Sequence, residues 1–552
     1  MASNGKAKQK EVADDHLEHS SSEEEEEEVD HTLPEASTPS TSSKKKKKKR
    51  SKAMKALNAI RGGGKDHIPQ ELVNVVLDKV KNEPGGSVPE ADEATVRMAL
   101  EQMKIKEVLQ GTSGIGGKNK KDTGSHKFWG TQPVPQFGEE APTGDGWIEP
   151  PKRREEFRQE PYPLPKDFEW FPIDLEDPAQ LRELYELLSA NYVEDDDASF
   201  RFQYSAEFLK WALQPPGYRK EWHVAVRVAS NKKLVAFIAA VPIKLRVRDH
   251  MLNACEVNFI CVHKKLRSKR LAPVLIKEVT RRCNLGGIFQ ALYTAGVVLP
   301  TPVATCRYYH RCLKINKLVN IRFVGVPQNM TLARMIRLNK VPERPRLLEP
   351  QHGLREMEDK DIPEVTALYE KFMKRFDTAL QFTEEEARHH FLSGRGTGPS
   401  TKDSWKTPRE GQVVWAYVVE DPKTHKITDF FSFYSLPSTV IDHPKHNLLN
   451  AAYLMYYATD VAFQDGAEQS GRLKKRLEEL IGDALVIADQ SNFDVFNALT
   501  LMDNCLFLQD LKFGGGDGML NFYLFNWRTS PLAGIKAIGD VPAGRGIGVV
   551  ML

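Results

Sequence analysis

The densest chemistry in the 552-residue chain lies in one stretch, EVNFICVHKKLRSKRLAPVLIKEV, over 256–279. An apolar strand stops at Val262, and five cations (Lys264, Lys265, Arg267, Lys269, Arg270) crowd the turn before a helix that begins near Leu271. The open N–H groups of a helix start and the positive end of its dipole already favour an anion, and lysine and arginine add charge-assisted hydrogen bonds. The spacing predicts a cradle for a phosphate or pyrophosphate. The plain alternative is a solvated basic turn; charge placed directly behind an apolar strand favours a ligand, of a kind the residues alone do not name. Cys261, inside that strand, invites an acyl-enzyme reading, but no activating partner is evident and a buried strand cysteine is more often packing.

The elements that must carry this turn are legible from periodicity. Asp177-Pro178 forms an N-cap and first-turn pair, after which Leu181, Leu184, Leu187 and Leu188 share one helical face. Alternation from Trp222 to Val228, a turn over 230–233 and the apolar run Leu234–Val241 predict a hairpin. Ile243, Leu245 and Val247 alternate next, and Leu252–Val262 is a long apolar strand that feeds the basic turn and a helix near 271–282. The same order returns roughly 185–195 residues later. LRELYELLSANYVE (181–194) is echoed by VTALYEKFMKRFDT (365–378), with a capping box expected from Asp361 and Glu364 around Pro363. The hairpin is echoed over 413–437, CEVNFICVH by AAYLMYYATD, and a helix is expected over 472–487. The chain therefore reads as two related α+β halves, with a boundary near 325–350 where Pro327, Pro342, Pro345 and Pro350 cluster. FQDGAEQSGR replaces the basic turn in the second copy, so the first half alone is expected to hold the anion.

Length and composition bound the class. A chain of this size is too long for one small module, and 78 Lys+Arg against 75 Asp+Glu, a net +3, gives no overall field that argues for nucleic acid or membrane as the main ligand. Six cysteines without a CxxC pair indicate a reduced intracellular protein, with neither a disulfide scaffold nor a zinc ribbon. The start MASNGKAKQK lacks a signal-peptide core and no run approaches the roughly 18 apolar residues of a membrane span, so the expectation is a cytosolic protein, not an integral membrane one. Residues 1–120 carry the acidic run Glu23–Glu28, the basic run Lys44–Arg50 and glycine patches, the composition of a disordered tail with helical spacing only over 69–81 and 91–109. The lysine run suits unspecific contact with RNA, a ribosome or an acidic membrane, or is a solvated tail.

EVNFICVHKKLRSKRLAP, together with LKFGGGDGML (511–520), YYHRCLK (308–314), NYVEDDDASFRF (191–202), HKFWGTQPVP (126–135) and the terminal GVVML, closely resembles eukaryotic N-myristoyltransferase (glycylpeptide N-tetradecanoyltransferase). The resemblance runs from about residue 125 to the end. It implies two tandem acetyltransferase-like (GNAT) halves related by a pseudo-twofold axis, with mixed sheets flanked by helices. By this reading 1–120 is a tail, 121–335 binds myristoyl-coenzyme A, and 336–552 binds the peptide and threads its C-terminus back to the active site. It further implies transfer of myristate from the coenzyme, a co-substrate bound first, to the α-amine of an N-terminal glycine, without prosthetic group or metal.

Site roles follow from the same resemblance. Arg267, Ser268, Lys269, Arg270, Leu271 and Ala272, flanked by Val262 and Pro273, match the coenzyme phosphate loop, and His126, Lys127, Phe128 and Trp129 the segment over the coenzyme. The backbone N–H groups of Phe259 and Ile260 match the oxyanion hole, Asn258 and Thr294 count among the catalytic residues, and the base is the carboxylate of Leu552. Tyr192, Glu194, Asp195, Asp196, Asp197, Phe200, Phe202, Tyr204, Tyr308, His310, Asp517 and Gly518 match the peptide site. Expected partners are myristoyl-coenzyme A and N-terminal-glycine proteins or nascent chains, with ribosome contact through the lysine-rich tail, no specific nucleic acid, and a monomer. The competing readings are an acetyl-coenzyme A-dependent GNAT enzyme, which would share the phosphate loop, and a ribosome- or RNA-binding protein built on the basic tail.

Overall fold

A computed structural model describes residues 127–139, 142, 144–193, 199–267, 269–399 and 404–552. The expected tail over 1–120, and His126, Glu194, Asp195, Asp196, Asp197 and Ser268, lie outside these residues. In the first half the chain forms β1 (Phe168–Pro172), α1 (Pro178–Asn191), β2 (Phe200–Phe202), α2 (Ala206–Leu213), β3 (His223–Val228), β4 (Leu234–Val247), β5 (His250–Val262), α3 (Leu271–Leu285), β6 (Gln290–Ala295) and β7 (Ala304–Cys312). It continues through α4 (Ile315–Asn320), α5 (Leu332–Asn339), β8 (Leu354–Glu356), α6 (Ile362–Met373), β9 (Thr378–Leu380), α7 (Glu384–Arg388), β10 (Val414–Glu420) and β11 (Ile427–Ser435). β12 (Ser438–Val440), β13 (Leu448–Leu449), β14 (Ala451–Thr459), α8 (Arg472–Gln490), β15 (Val495–Leu499), β16 (Gly514–Phe525) and β17 (Ile547–Gly548) complete it.

One sheet runs β1-β3-β4-β5-β6-β16-β7-β15-β14-β11-β10-β8. Read inward from its two ends, β1, β3, β4, β5 and β6 are matched by β8, β10, β11, β14 and β15. The strand directions agree as well: β3–β4 and β10–β11 are antiparallel, while β5–β6 and β14–β15 are parallel. The repeat seen in the sequence is thus a repeat in topology, with one exchange. β7 pairs with β15 in the second group, whereas β16, from near the end of the chain, pairs with β6 in the first. β16 and β7 pair with each other at the join, so the sheet is continuous.

The core explains the strand patterns. β4 is buried at every position from Leu234 to Val241 because helices cover both faces of the sheet. Leu181, Leu184, Leu187 and Leu188 of α1 pack with Phe237, Ala239 and Val241 on one face. Leu275, Val279 and Cys283 of α3 pack with Val224, Val226, Ile238 and Ala240 on the other. Asp177 caps α1 as expected, accepting the Ala179 N–H at 2.9 Å.

Two expectations are corrected. β4 does not stop at Val241 but runs through Pro242, which pairs with Cys255 of β5. On the opposite edge, β3 pairs only as far as Ala239 and β9 only from Leu245, so the missing proline N–H falls in the gap between two partners. The Asp361–Glu364 capping box does not form: Asp361 accepts from the Arg355 guanidinium at 2.7 Å and from the Glu358 N–H, while Glu364 accepts the Ile427 N–H. The Asp361 carboxylate, held by a bidentate charge-assisted pair, closes a capping box with Glu358 around the short turn Asp359–Asp361 instead of one with Glu364.

Candidate active site

β5 leaves regular register beside its most polar residues. Asn258 pairs with Ala239 of β4, but the next pair is Cys261 with Phe237. Phe259 and Ile260 therefore stand opposite the single residue Ile238, a β-bulge, and Phe259 takes φ +58. A left-handed phenylalanine costs on the order of 1–3 kcal/mol and persists only where its surroundings impose it. Here the imposition is packing: the Phe259 ring is buried against Tyr204 at 5.2 Å and Tyr192 at 6.0 Å. The side chain of Ile260 turns outward and is 37% exposed between two buried neighbours.

On its other edge β5 pairs with β6 only over Ala254–Glu256, so the two parallel strands part just where the bulge begins. β6 carries on along β16, with Thr294 opposite Phe522. The result is a wedge with Asn258 and the bulge on one wall and Thr294 on the other. Consecutive backbone donors at such an opening can stabilise charge that grows on a carbonyl oxygen. The Phe259 N–H is directed at the Tyr192 phenol, whose pKa burial raises. Burial pushes the Cys261 thiol up to about 12, which leaves it inert at neutral pH.

The basic turn follows directly from β5. The His263 side chain accepts the Lys265 N–H and starts a short helical turn over Lys264–Leu266. Arg267 donates to the carbonyl of Asn191 at the end of α1 at 2.5 Å, and the Lys264 N–H donates to the Asn191 side chain at 3.0 Å. Arg267 thus fastens the turn to α1 as well as contributing charge. Lys269 and Arg270 are exposed, and Arg270, at φ +59, opens α3 with no side-chain cap and no acidic residue in the first turn. Leu271, Ala272 and Pro273 form that first turn, whose open N–H groups stand beside the exposed Lys269 and Arg270. Val262 closes β5 opposite Ala236. Lys127 is exposed, Phe128 meets Trp129 edge-on, and Trp129 stacks on Tyr293 at 5.4 Å and 4°. Tyr293 precedes Thr294 on β6, so this segment reaches the wedge from its far side.

An aromatic cluster gathers beside the bulge, with one ring from the second half. Tyr192, Phe202 and Tyr204 cluster with Phe259, and Phe202 also reaches Tyr453 of β14. Burial raises the Tyr308 phenol to about 12. His310 donates through Nδ1 to Asn497 at 2.7 Å; burial lowers its pKa, with the charge of Asp517 pulling the other way. Phe200 and His310 both pack against Phe323, at 5.8 and 5.4 Å. β16 jumps from Gly515 to Met519 while β7 moves from Tyr309 to Arg307, which throws out the Gly516-Asp517-Gly518 loop. A Cβ on Gly516 would sit 2.3 Å from His310 Nε2, so the glycine there is a packing requirement.

The chain then ends inside the molecule. Arg545 binds Asp503 at 2.7 Å and Glu468 at 2.8 Å, Ile547 and Gly548 pair with Thr378 and Ala379 of β9, and the Val550 N–H donates to the Tyr456 hydroxyl at 3.1 Å. The Leu552 N–H is directed at the carboxylate of Glu256, which also accepts from Asn258 Nδ2 at 2.5 Å. Glu256 is not among the site residues expected from the sequence. A signal for it is present there: it is the one charged residue in the run from Leu252 to Val262.

The chain is similar to known proteins over most of its length. Residues 147–306 match the N-terminal domain of myristoyl-CoA:protein N-myristoyltransferase, and residues 320–550 match its C-terminal domain. The chain is 52% identical to the glycylpeptide N-tetradecanoyltransferase of Emericella nidulans, over 86% of this chain and 92% of that one. It is 48% identical to that of Schizosaccharomyces pombe, over 83% and 96%. A crystal structure of Saccharomyces cerevisiae N-myristoyltransferase with bound myristoyl-CoA superposes with a TM-score of 0.71 at 48% identity, covering 78% of this chain and all of that one. Among the described residues no helix is long and apolar enough to cross a membrane, and no group of His, Cys, Asp or Glu side chains is arranged to hold a metal.

Proposed function

The chain belongs to the myristoyl-CoA:protein N-myristoyltransferase family, and we propose how its residues divide the work. It is an acyltransferase that moves myristate from myristoyl-CoA, a co-substrate, to the α-amine of an N-terminal glycine. In our reading the half over 121–335 holds the coenzyme: Arg267, Ser268, Lys269 and Arg270 with the first turn of α3 take its phosphates, and His126 to Trp129 lie over it. Phe259 and Ile260 donate their N–H groups to the thioester oxygen, each preorganised donor stabilising the transition state by about 3 kcal/mol. The Tyr192 phenol gives up the Phe259 donor when the acyl-coenzyme arrives, and, as the family resemblance implies, the acyl-coenzyme binds before the peptide.

The half over 336–552 joins the first half in forming the peptide side, giving Asp517, Gly518 and the terminal carboxylate while the first half gives the remaining residues. Tyr192, Phe200, Phe202, Tyr204, Tyr308, His310, Asp517 and Gly518 line the pocket, Glu194 to Asp197 draw substrate lysines, and Asn258 and Thr294 face the incoming amine. An α-ammonium with a pKa of roughly 7.7–8 is no nucleophile, so the Leu552 carboxylate holds it by an ion pair and helps remove its proton. The amine then attacks the thioester directly, with no acyl-enzyme. The observation that carries this reading is the seat of Leu552 on Glu256, three residues from the bulge. We place the enzyme in the cytosol as a monomer, with ribosome contact through Lys44–Arg50.

The test is a mass-shift assay with a Gly-initiated octapeptide and acyl-coenzymes of several lengths. A strong preference for the tetradecanoyl chain is expected, and a preference for acetyl-CoA would overturn the reading. Removing Met551 and Leu552 is expected to slow single-turnover acylation by about 10²–10⁴ with coenzyme binding near normal, the usual range for loss of a general base.

A further inference from the structure

We propose that Glu256 is where the proton taken from the incoming glycine comes to rest, while the Leu552 carboxylate holds the ammonium beside it. This rests on the role just given to Leu552. Glu256 is 7% exposed, and the two donors on its carboxylate, the Leu552 N–H and Asn258 Nδ2, are both neutral. Among the described residues no lysine or arginine forms an ion pair with it within 4.0 Å. A glutamate kept only for structure would be costly here, because a buried carboxylate without a cation is disfavoured as the anion, and glutamine would serve the same two hydrogen bonds. Period-two alternation places Glu256 and Asn258 on one face of β5, and the end of the chain reaches that face.

A way out for the proton is present. Glu256 and Leu552 share the wall of a cavity of about 30 Å³ whose other polar walls are Lys244, Gln381, Glu386 and His390. That volume admits a water molecule. The groups facing Glu256 are those walls, the buried phenols of Tyr434 and Tyr456, and the backbone N–H of Leu552. His390 is driven down to about 3 by burial and is neutral. Burial pushes Glu256 up to about 7, close to the ammonium, whereas an α-carboxylate starts near 3.3–3.7. Proton transfer is most effective between groups of matched pKa.

The step balances. One ammonium N–H bond breaks as a Glu256 O–H bond forms, and the neutral amine adds to the carbonyl carbon, sending an electron pair to oxygen. Collapse restores the carbonyl and breaks the C–S bond. The second ammonium proton goes to the departing thiolate, the amide keeps the third, and Glu256 releases one proton to solvent through the cavity.

Glu256→Gln keeps the shape and an acceptor oxygen but not the basicity. At pH 7 its single-turnover rate with the Gly-initiated octapeptide is expected to fall by about 10²–10⁴, with an unchanged Kd for myristoyl-CoA. The deficit is expected to narrow at pH 9, where the ammonium is mostly deprotonated. Glu256→Asp, which keeps the acid, is expected to lie between Gln and the parent. The parent's own rate should rise through an apparent pKa near 7, a readout that needs no variant to fold. A Gln variant with the parent's rate, an equal deficit at every pH, or a parent rate independent of pH between 5 and 8 would overturn the proposal. Failure of the parent to acylate the peptide would instead overturn the reading of the reaction. An intact rate after removal of Met551 and Leu552 would overturn the role of the terminus and the proposal that rests on it, while leaving the reaction itself in place.

Discussion

At the scale of single residues, the site depends on groups that look ordinary in the sequence. Gly516 is one: a methyl added there would lie 2.3 Å from His310 Nε2 and 3.1 Å from the Tyr308 carbonyl, so Gly516→Ala must displace the histidine. We expect KM for the peptide to rise on the order of 10-fold, about 1.4 kcal/mol of binding, with myristoyl-CoA affinity unchanged by titration. Cys261 is another. Its thiol, pushed up to about 12, leaves no thiolate at pH 7, so Cys261→Ala is expected to keep the single-turnover rate within a factor of about 2, since a small buried thiol acts as packing. Trapping an acyl adduct on this cysteine by mass spectrometry would contradict the direct attack. Glu256 is hard to single out in the sequence because a lone acidic residue in a strand normally marks an exposed position; only the tertiary contact with the chain's end reveals it as buried.

At the scale of elements, the most demanding piece is the tail that carries Leu552. Gly546 has backbone as its nearest neighbours, with Ala533 N at 2.2 Å and Ala533 O at 2.6 Å from any Cβ. Backbone cannot rotate aside, so Gly546→Val must push the tail that leads to β17 away from Leu532 and Ala533. The expected result is a loss of about 10²–10⁴ in single-turnover rate, like that of losing a base outright, with coenzyme affinity retained; equal loss of both would mean general unfolding. The local elements are largely legible in the sequence, because strand alternation, the α1 cap and the cations behind Val262 are all short-range signals. What escapes it depends on distant partners. The path of β4 through Pro242 needs the gap between β3 and β9, the fate of Asp361 needs Arg355, and the bulge at Phe259 needs the rings of Tyr192 and Tyr204.

At the scale of the whole molecule, buried histidines set an acid limit. His223, fully buried with Nε2 donating to the Leu213 carbonyl at 3.0 Å, is held near pKa 4 by desolvation, against about 6.5 when unfolded. The unfolded chain therefore binds a proton that the native one refuses, and stability falls as pH drops from about 6.5 to 4, by roughly 3 kcal/mol for this group. Urea midpoints at pH 7 and pH 5 check this; His223→Phe is expected to flatten the difference. The tail bears differently on function. Deletion of residues 1–110 is expected to leave peptide acylation in vitro intact, and loss of the reaction would contradict its accessory role. The duplication is readable in the sequence, but the crossing of β7 and β16 is not, since nothing local says which copy a strand will join. That crossing has a consequence for how the protein can be divided. A polypeptide severed between α5 and β8 would yield two fragments, each wearing a strand that belongs in the other's sheet, so either one made alone would present an unfilled slot and a sticky edge. Produced together, the fragments should reassemble into a working whole, a split enzyme whose two pieces each require the other.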